Sequence, residues 1–358
     1  MTALTRPARP DEDDVSPRPV PWRRMAGIIW RQHRFALGGV AVLLGALAVW
    51  LWIAGSSVHH DYAAVAACHP ASSPGCQDLA SAFNGTWNVM SYWAIFLQLL
   101  PALIGAFAGA PVLARELETG TFRFAWTQGF ERWRWALAKL TALAVVLAAA
   151  TFAFSVLLSW CYQPYLGASN QDLGIYGNSP LVTVFSLREV AFPAWTVAAF
   201  AIGALAGMLI RRVVPAIVTA LAVYAGLAIA AAAFLREHYL TPLVTSDSNV
   251  PGTTWITGQW WTKDGRFAFA GDPPASLINQ CSFPQSPAGK GGGVAGGGGP
   301  SSVNPFAQCL APHGYAQWNS FQPASRFWPF QWIEGGWLLL LAALLIAVTL
   351  WLVQRRAA

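Results

Sequence analysis

The sequence contains few charged residues. Asp, Glu, Lys and Arg make up 11% of its 358 residues, whereas they make up roughly 25% of soluble domains. The hydrophobic content is 55% and the mean hydropathy is +0.43. This shortage of charge excludes an ordinary soluble enzyme and indicates an integral membrane protein.

A credible nucleotide-binding motif is also missing. The tract from Gly289 to Ser302 contains glycines at the GxGxxG spacing, but no strand and helix flank them, as the dinucleotide fingerprint requires. Lys290 resembles the lysine of a Walker A motif, yet Gly291 stands where Ser or Thr is needed and Pro284 where the first Gly is needed. We therefore predict that the chain binds no cofactor, has no catalytic residue and is not an enzyme.

Charge is nearly absent from the apolar runs that are long enough, at about 20 residues, to cross a bilayer. Six such runs are present: Phe35 to Ala54, Ser91 to Leu113, Ala136 to Trp160, Val190 to Ile210, Val213 to Leu235, and Trp332 to Val353. Glu189, Glu334 and Lys139 fall at the edges of runs, where we expect their side chains to reach the interface. Ion-coupled transporters and intramembrane hydrolases need ionisable groups inside the membrane, so both classes are disfavoured.

The positive charges favour one side of the membrane. With a cytosolic amino terminus, 16 of the 22 Lys and Arg residues are cytosolic, and the net charge of +6 reflects orientation rather than a nucleic-acid partner. These residues are Arg6, Arg9, Arg18, Arg23, Arg24, Arg31, Arg34, Arg115, Arg123, Arg132, Arg134, Lys139, Arg211, Arg212, Arg355 and Arg356. We predict a multi-pass membrane protein with both termini in the cytosol.

This topology predicts an all-α integral membrane protein in five parts. Residues 1–21, rich in proline and charge, are expected to be a disordered cytosolic tail. Residues 22–34 are predicted to form an amphipathic interfacial helix, with the alternative that they extend the first span. The remaining parts are spans one to five at 35–235 with a cytosolic loop at 114–139, an enlarged extracellular segment at 236–331, and the sixth span and cytosolic tail at 332–358.

All five cysteines fall at the outer side, where thiols can oxidise. Proximity favours the pairs Cys68 with Cys76 and Cys281 with Cys309, which leaves Cys161 over; that some of the five are simply free thiols is the alternative. Cys68 also lies near His59, His60, Asp61 and His69, but their spacing matches no familiar zinc motif. No metal site is expected.

Two glycine pairs are spaced for close helix packing. Gly105 and Gly109 lie in the second run, and Gly203 and Gly207 lie in the fourth. Small residues four apart let helix backbones approach closely in lipid. The pairs could pack within one bundle or at a dimer interface, and the sequence leaves both open.

The segment from Arg115 to Lys139 is the longest charged stretch between two apolar runs. The second span continues into it without a breaker until Gly120, and Thr121 can cap a helix that starts there. Phe122, Trp126, Phe130 and Trp133 then recur at helical spacing. The segment is predicted to dock onto a partner, with a merely anchoring interfacial helix as the alternative.

Two stretches carry a resemblance to a known family. Arg115 to Thr121, reading RELETGT, with the later Trp126, Thr127 and Gln128, resembles the loop of ABC exporter permeases of the type 2 class, particularly the actinobacterial branch. Gln322 to Glu334, reading QPASRFWPFQWIE, resembles the same branch before its last span. The six spans and cytosolic termini also match.

The resemblance implies that the loop is a coupling helix seated in a separate ATPase subunit. That subunit would carry ATP and magnesium, and two permease copies or homologues would work with two ATPases. The residues it implies for ATPase coupling are Arg115, Glu116, Glu118, Thr119, Gly120 and Thr121. None of them performs chemistry.

The function expected from these observations is export driven by the partner ATPase. The alternative from another class is a non-transporting sensor or assembly scaffold whose extracellular segment binds a ligand. A secondary transporter is disfavoured by the uncharged spans.

Overall fold

The computed structural model describes residues 22–70, 73–119, 132–167, 179, 181–246, 253–278, 281 and 305–356. Six stretches within these ranges are long and apolar enough to cross a membrane, which confirms the integral membrane fold. The helices are α1 (Trp22–Ala66), α2 (Pro74–Leu97), α3 (Leu100–Thr119), α4 (Arg132–Gly167), α5 (Ala191–Ile210), α6 (Val213–Ala230), the short α7 (Ala275–Ile278) and α8 (Pro305–Leu310), and α9 (Phe327–Arg356). The second span is formed by α2 and α3 together.

The first helix is longer than the sequence predicted at both ends. The segment 22–34 is continuous with the first span in α1. It therefore extends the span, which was the alternative prediction, and is not a separate helix. No proline interrupts this stretch, and a helix propagates readily once it is formed. At its other end α1 continues to Ala66, whereas the first apolar run was expected to end at Ala54.

The second span is broken once, between α2 and α3. Ser73 caps the start of α2 by accepting a hydrogen bond from the Cys76 amide, and Pro74 fits the first helical position. The helix ends at Leu97 because Pro101 has no N–H to continue the hydrogen-bond ladder. The second span is therefore a long helix with one defined break at residues 98–99.

The two ends of the bundle differ in their connections. A disulfide joins Cys68 to Cys76 across the turn between α1 and α2, and Cys161 is buried and unpaired. We call this end, which also carries the sheet described below, the sheet end. The opposite end, at Arg115 to Thr119 and Arg211 to Arg212, is called the loop end.

Helix α5 forms the centre of the bundle. In an 18-residue apolar stretch of α5, 78% of the residues are buried inside the protein, whereas in the corresponding stretch of α1 only 11% are buried. A Cβ atom added at Gly109 of α3 would collide with the Phe200 carbonyl oxygen of α5, and one added at Gly207 of α5 would collide with that of Ala110. A Cβ atom added at Gly105 would collide with the Ala199 Cβ atom, and one added at Gly203 would lie 2.9 Å from the Ala110 backbone nitrogen. Both glycine pairs thus pack against each other within one chain.

The segment between the fifth and sixth spans contains an antiparallel four-stranded sheet. Its strands are β1 (Leu243–Thr245), β2 (Trp255–Lys263), β3 (Arg266–Ala270) and β4 (Tyr315–Gln322), in the order β1-β4-β2-β3. The β2–β3 hairpin turns at Asp264 and Gly265, which have φ angles of 49° and 78°. Positive φ at both positions is what a tight two-residue hairpin requires, and Asp-Gly is a favoured sequence for it.

A small core lies on one face of this sheet. Trp261 is fully buried with Leu310 and Cys281, and its Nε1 donates a hydrogen bond to the Gly271 carbonyl at 3.1 Å. A disulfide joins Cys281 to Cys309 beside this cluster. The strands that carry this core were not predicted from the sequence, which indicated only an enlarged extracellular segment.

The glycine contact between α3 and α5 yields a stability prediction. Gly109→Ala should lower the free energy of unfolding by roughly 1–3 kcal/mol, because its new methyl group must push the α5 backbone away. The measurement is the thermal unfolding temperature of the purified protein in detergent. Gly226→Ala on α6 is the matched control, since a Cβ there meets nothing within 4 Å. Equal unfolding temperatures for the two variants would contradict the contact.

Candidate functional site

A buried ion pair joins three helices at the loop end. Lys139 of α4 is fully buried, and its Nζ donates a hydrogen bond to Glu116 Oε1 of α3 at 2.5 Å. Gln32 Nε2 of α1 donates to the same oxygen at 2.7 Å. Lys139 Nζ also donates to the Val112 carbonyl at 3.1 Å and lies 4.9 Å from the centre of the Trp135 ring. The Glu116 carboxylate therefore holds α1, α3 and α4 together.

The prediction that Lys139 reaches the membrane interface is wrong. Glu116 lies three residues before the end of α3 and Lys139 seven residues after the start of α4, and the hydrogen bond between them brings these two helix ends together. A charge can remain buried when an opposite charge and further hydrogen bonds replace its water. Glu116 is 8% exposed and its carboxylate is engaged inside the chain, so it is not free to pair with a partner's basic residue.

Glu118 connects α3 to the next helical hairpin. Its Oε2 accepts a hydrogen bond from the backbone N–H of Val213, the first residue of α6, at 3.3 Å. The first N–H groups of a helix have no partner within the helix and carry partial positive charge, so a carboxylate is favoured there. Arg211, with φ of 59°, ends α5 immediately before this point. Glu118 thus couples the end of α3 to the α5–α6 hairpin.

The other predicted loop residues lie on the surface or outside the described residues. Arg115 and Thr119 are exposed, and Thr119 Oγ1 donates to the Arg115 carbonyl at 2.8 Å. Gly120 and Thr121 lie outside the described residues, as do Phe122, Trp126 and Phe130 of the aromatic pattern. The structure therefore brings Glu116 and Glu118 to one end of the bundle, with Arg115 and Thr119 on its surface.

A second buried ion pair closes the sheet end. Glu334 of α9 is fully buried and accepts hydrogen bonds from Arg236 Nε at 3.0 Å and Nη2 at 2.9 Å. Trp195 Nε1 of α5 donates to it at 2.8 Å, and the Tyr239 hydroxyl donates at 3.1 Å. The prediction that Glu334 reaches the interface is therefore wrong, because four donors surround its carboxylate. The position of Glu189 at the interface stays a prediction; the residue lies two positions before α5, and its Oε1 is 3.4 Å from Arg188 Nη2.

Two residues of the stretch from Gln322 to Glu334, which carries the family resemblance, bind neighbouring helices at this pair. Gln331, one turn before Glu334, accepts from the Ala191 amide at 2.8 Å and donates to the Phe185 carbonyl at 3.0 Å. Burial and the neighbouring Glu334 carboxylate raise the pKa of Tyr239 above its ordinary value, so its phenol keeps the proton it donates. Gln331 and Glu334 thus fasten α9 to α5 and to the start of the sheet segment.

The histidine and cysteine group in the first outer segment does not converge on a metal. His59 Nε2 lies 2.9 Å from the Trp160 carbonyl oxygen, and its ring stacks on the Trp160 ring at 4.7 Å. Cys68 is bonded to Cys76. Across the described ranges no three His, Cys, Asp or Glu side chains are grouped as metal ligands.

Sequence reasoning did not identify the side chains that donate to the two buried carboxylates, which are Gln32, Lys139, Arg236, Trp195 and Tyr239. For Lys139 and Arg236 a signal was present. An ionisable residue in or beside a spanning run is costly in lipid, so it requires a named partner rather than a default position at the interface. For Gln32 the sequence contained no comparable signal, since polar residues are common near the start of a span.

A bundle of six spanning helices with paired charges at both ends defines a multi-pass helical membrane protein. A family model described as ABC-2 membrane transporter related matches residues 41–236, more than half of the chain. The chain therefore belongs to this family and is a permease of the ABC-2 type, which confirms the predicted resemblance at that level. Searches of curated proteins and of solved structures found no significant match.

The Glu116–Lys139 pair is open to a double-mutant test. Lys139→Met should lower the free energy of unfolding by roughly 3–5 kcal/mol, because it leaves the Glu116 carboxylate buried without its cation. Adding Glu116→Gln should recover part of that loss, since no unpaired charge then remains. The measurement is thermal unfolding of the purified variants in detergent.

The matched control for that test is Arg115→Met, which removes an exposed cation one residue from Glu116. It should leave the unfolding temperature nearly unchanged. If the single Lys139→Met variant and the double variant unfolded at the same temperature, the pair would not be the contact that holds these helices.

Proposed function

We propose that this permease is the membrane subunit of an ATP-driven exporter. It passes substrate across the bacterial plasma membrane, while a separate ATPase subunit binds ATP and magnesium. Two permease copies or homologues and two ATPases form the working assembly. Membership of the ABC-2 family supports a role in transport. The contacts of the Glu116 and Glu118 carboxylates at the loop end support the idea that movement of the ATPase reaches the permease there.

The observation that carries the proposal is the anchoring of both ends of the 120–131 connection. On the α3 side Glu116 contacts Gln32 and Lys139, and Glu118 holds the first N–H of α6. On the α4 side Lys139 is seven residues from the start of the helix. A displacement of this connection therefore moves α1, α3, α4 and α6 together and not only the end of one helix.

In this proposal the surface and buried residues have different roles. Arg115 and Thr119 are exposed beside the connection and contact the ATPase together with Gly120 and Thr121. Glu118 transmits the movement to the α5–α6 hairpin through its contact with Val213. Glu116 positions the helices and does not touch the ATPase.

The location of charge and disulfides supports cytosolic termini. Arg115, Arg211 and Arg212 lie at the loop end, where the positive-inside tendency favours the cytosol. Both disulfides lie at the sheet end, where an oxidising compartment favours them. The two observations agree on one orientation.

Thiol labelling on intact cells tests this orientation. After treatment with a membrane-impermeant reductant, an impermeant maleimide should label the cysteines of the Cys68–Cys76 and Cys281–Cys309 pairs from outside. A Cys161→Ala background removes the free thiol. As the internal control, a cysteine introduced at Arg115 should react only after lysis. Labelling in the opposite pattern would reverse the proposed topology.

Coupling is tested with Glu118→Ala in the permease reconstituted with its ATPase. The variant should insert and retain ATP hydrolysis, but its transport per ATP should fall about fivefold or more, the range of a typical coupling energy. The physical reason is the lost contact between α3 and the start of α6. The measurement is the ratio of the transport rate to the hydrolysis rate in vesicles.

Glu237→Ala is the matched control, because it removes a carboxylate at the sheet end of the same chain. Its transport per ATP should equal that of the unmodified permease. An unchanged ratio in Glu118→Ala as well would contradict the role of Glu118. Failure of the purified permease to bind any ATPase would instead favour the non-transporting sensor or scaffold.

A further inference from the structure

A cavity of about 310 Å³ lies at the sheet end, apart from the loop-end site. It is lined by the junction of α2 and α3, the connection at 181–187, α5, α6 with the residues that follow it, and the start of β2. Small-molecule sites in proteins begin at about this size. Gln98, the residue at which the second span is broken, and Pro101, which causes the break, both line it.

The walls of the cavity are mainly apolar and aromatic. Trp195 of α5 and Tyr224 of α6 meet edge to face with ring centres 5.4 Å apart, and Trp255 of β2 is a further aromatic residue of the lining. Leu181 and Ala228 complete the apolar lining. Such a wall favours the hydrocarbon or ring portion of a ligand over a strongly hydrated one.

Two buried polar groups in the lining have unused hydrogen-bonding capacity. Arg236 is 7% exposed and uses Nε and Nη2 on Glu334 and Ser186, while its Nη1 has no hydrogen-bond partner among the described residues. Tyr224 is 8% exposed, and within the same ranges its hydroxyl has no hydrogen-bond partner either. Neither atom is among the fully enclosed polar atoms of the described residues, so both keep accessible surface and can donate a hydrogen bond to a ligand that carries an acceptor.

The charge of the cavity restricts the ligand further. Arg236 is the charged residue of the lining, and the buried Glu334 carboxylate neutralises it through two hydrogen bonds. An anionic ligand would bring a second negative charge into a low-dielectric site without its own counter-ion, which is costly. An uncharged ester or amide oxygen can accept from Arg236 and Tyr224 without that cost.

We propose that this cavity binds an uncharged amphiphile, with its ester or amide oxygen at Arg236 and Tyr224 and its apolar body against Trp195 and Trp255. The same chemistry is found in the acyl ester region of a membrane lipid and in an exported amphiphilic compound. The site belongs to the permease chain alone, so its binding test is independent of the proposed ATPase coupling.

The test uses radiolabelled methyl dodecanoate and the purified full-length permease in detergent. Tyr224→Phe removes only the hydroxyl and should weaken binding roughly two- to tenfold, the worth of one hydrogen bond. Ala228→Phe fills the cavity and should abolish measurable binding. Ala222→Phe, the same change on the exposed side of α6, should bind like the unmodified protein.

Two results would overturn the proposal. One is equal binding by Ala228→Phe, Ala222→Phe and the unmodified protein, which would place the ester outside this cavity. The other is equal competition by dodecane, which lacks the acceptor oxygen, and by unlabelled methyl dodecanoate. Selective loss in Ala228→Phe, with weaker competition by dodecane, supports the site.

A second arm separates the two sources of the ligand. In the permease reconstituted with its ATPase, methyl dodecanoate should stimulate ATP hydrolysis if the cavity receives exported compounds, and Ala228→Phe should remove the stimulation. Binding without stimulation assigns the cavity to a resident membrane lipid. Either result supports the cavity as a binding site.

Discussion

The close approach of α3 and α5 is the constraint on which the other contacts depend. Glycines on both helices let the backbones touch, and a single added methyl group at Gly109 or Gly207 would force them apart. Once α3 and α5 are in register, Glu116 and Glu118 lie at the loop end and Trp195 lies at the sheet end beside Glu334. A packing contact without charge therefore positions the charged groups at both ends.

The two buried ion pairs perform the same physical task in different surroundings. Each places a carboxylate among several donors, so that lost hydration is replaced by hydrogen bonds from neighbouring helices. At the loop end the pair joins α1, α3 and α4 beside the connection proposed to meet the ATPase. At the sheet end it joins α5, α9 and the segment after α6 that contains Arg236 and Tyr239. The bundle is thereby fastened at both ends, and its lipid-facing middle is held mainly by apolar packing.

The sequence allowed the number of spans and the apolar segment of each to be predicted because apolar runs report directly on bilayer thickness, but several helices extend beyond the predicted limits. The continuation of α1 to Ala66 was missed because the polar residues His59 and Asp61 indicated a loop outside the membrane. In the structure the His59 ring instead stacks on Trp160 of α4. The sheet was missed although Asp264 and Gly265 mark a hairpin. In the loop, Glu116 and Glu118 looked alike; only the packing shows that one faces Lys139 and the other faces α6.

The unbroken length of α1 has a mechanical consequence. From Gln32, where the helix meets Glu116, to Ala66 the helix rises roughly 50 Å. A rigid rod of that length acts as a lever: a tilt of about 5° at the Gln32 end displaces the far end by about 4 Å at the same rise per residue. The disulfide-closed tip between α1 and α2 would therefore magnify a small movement made on the opposite side of the bilayer.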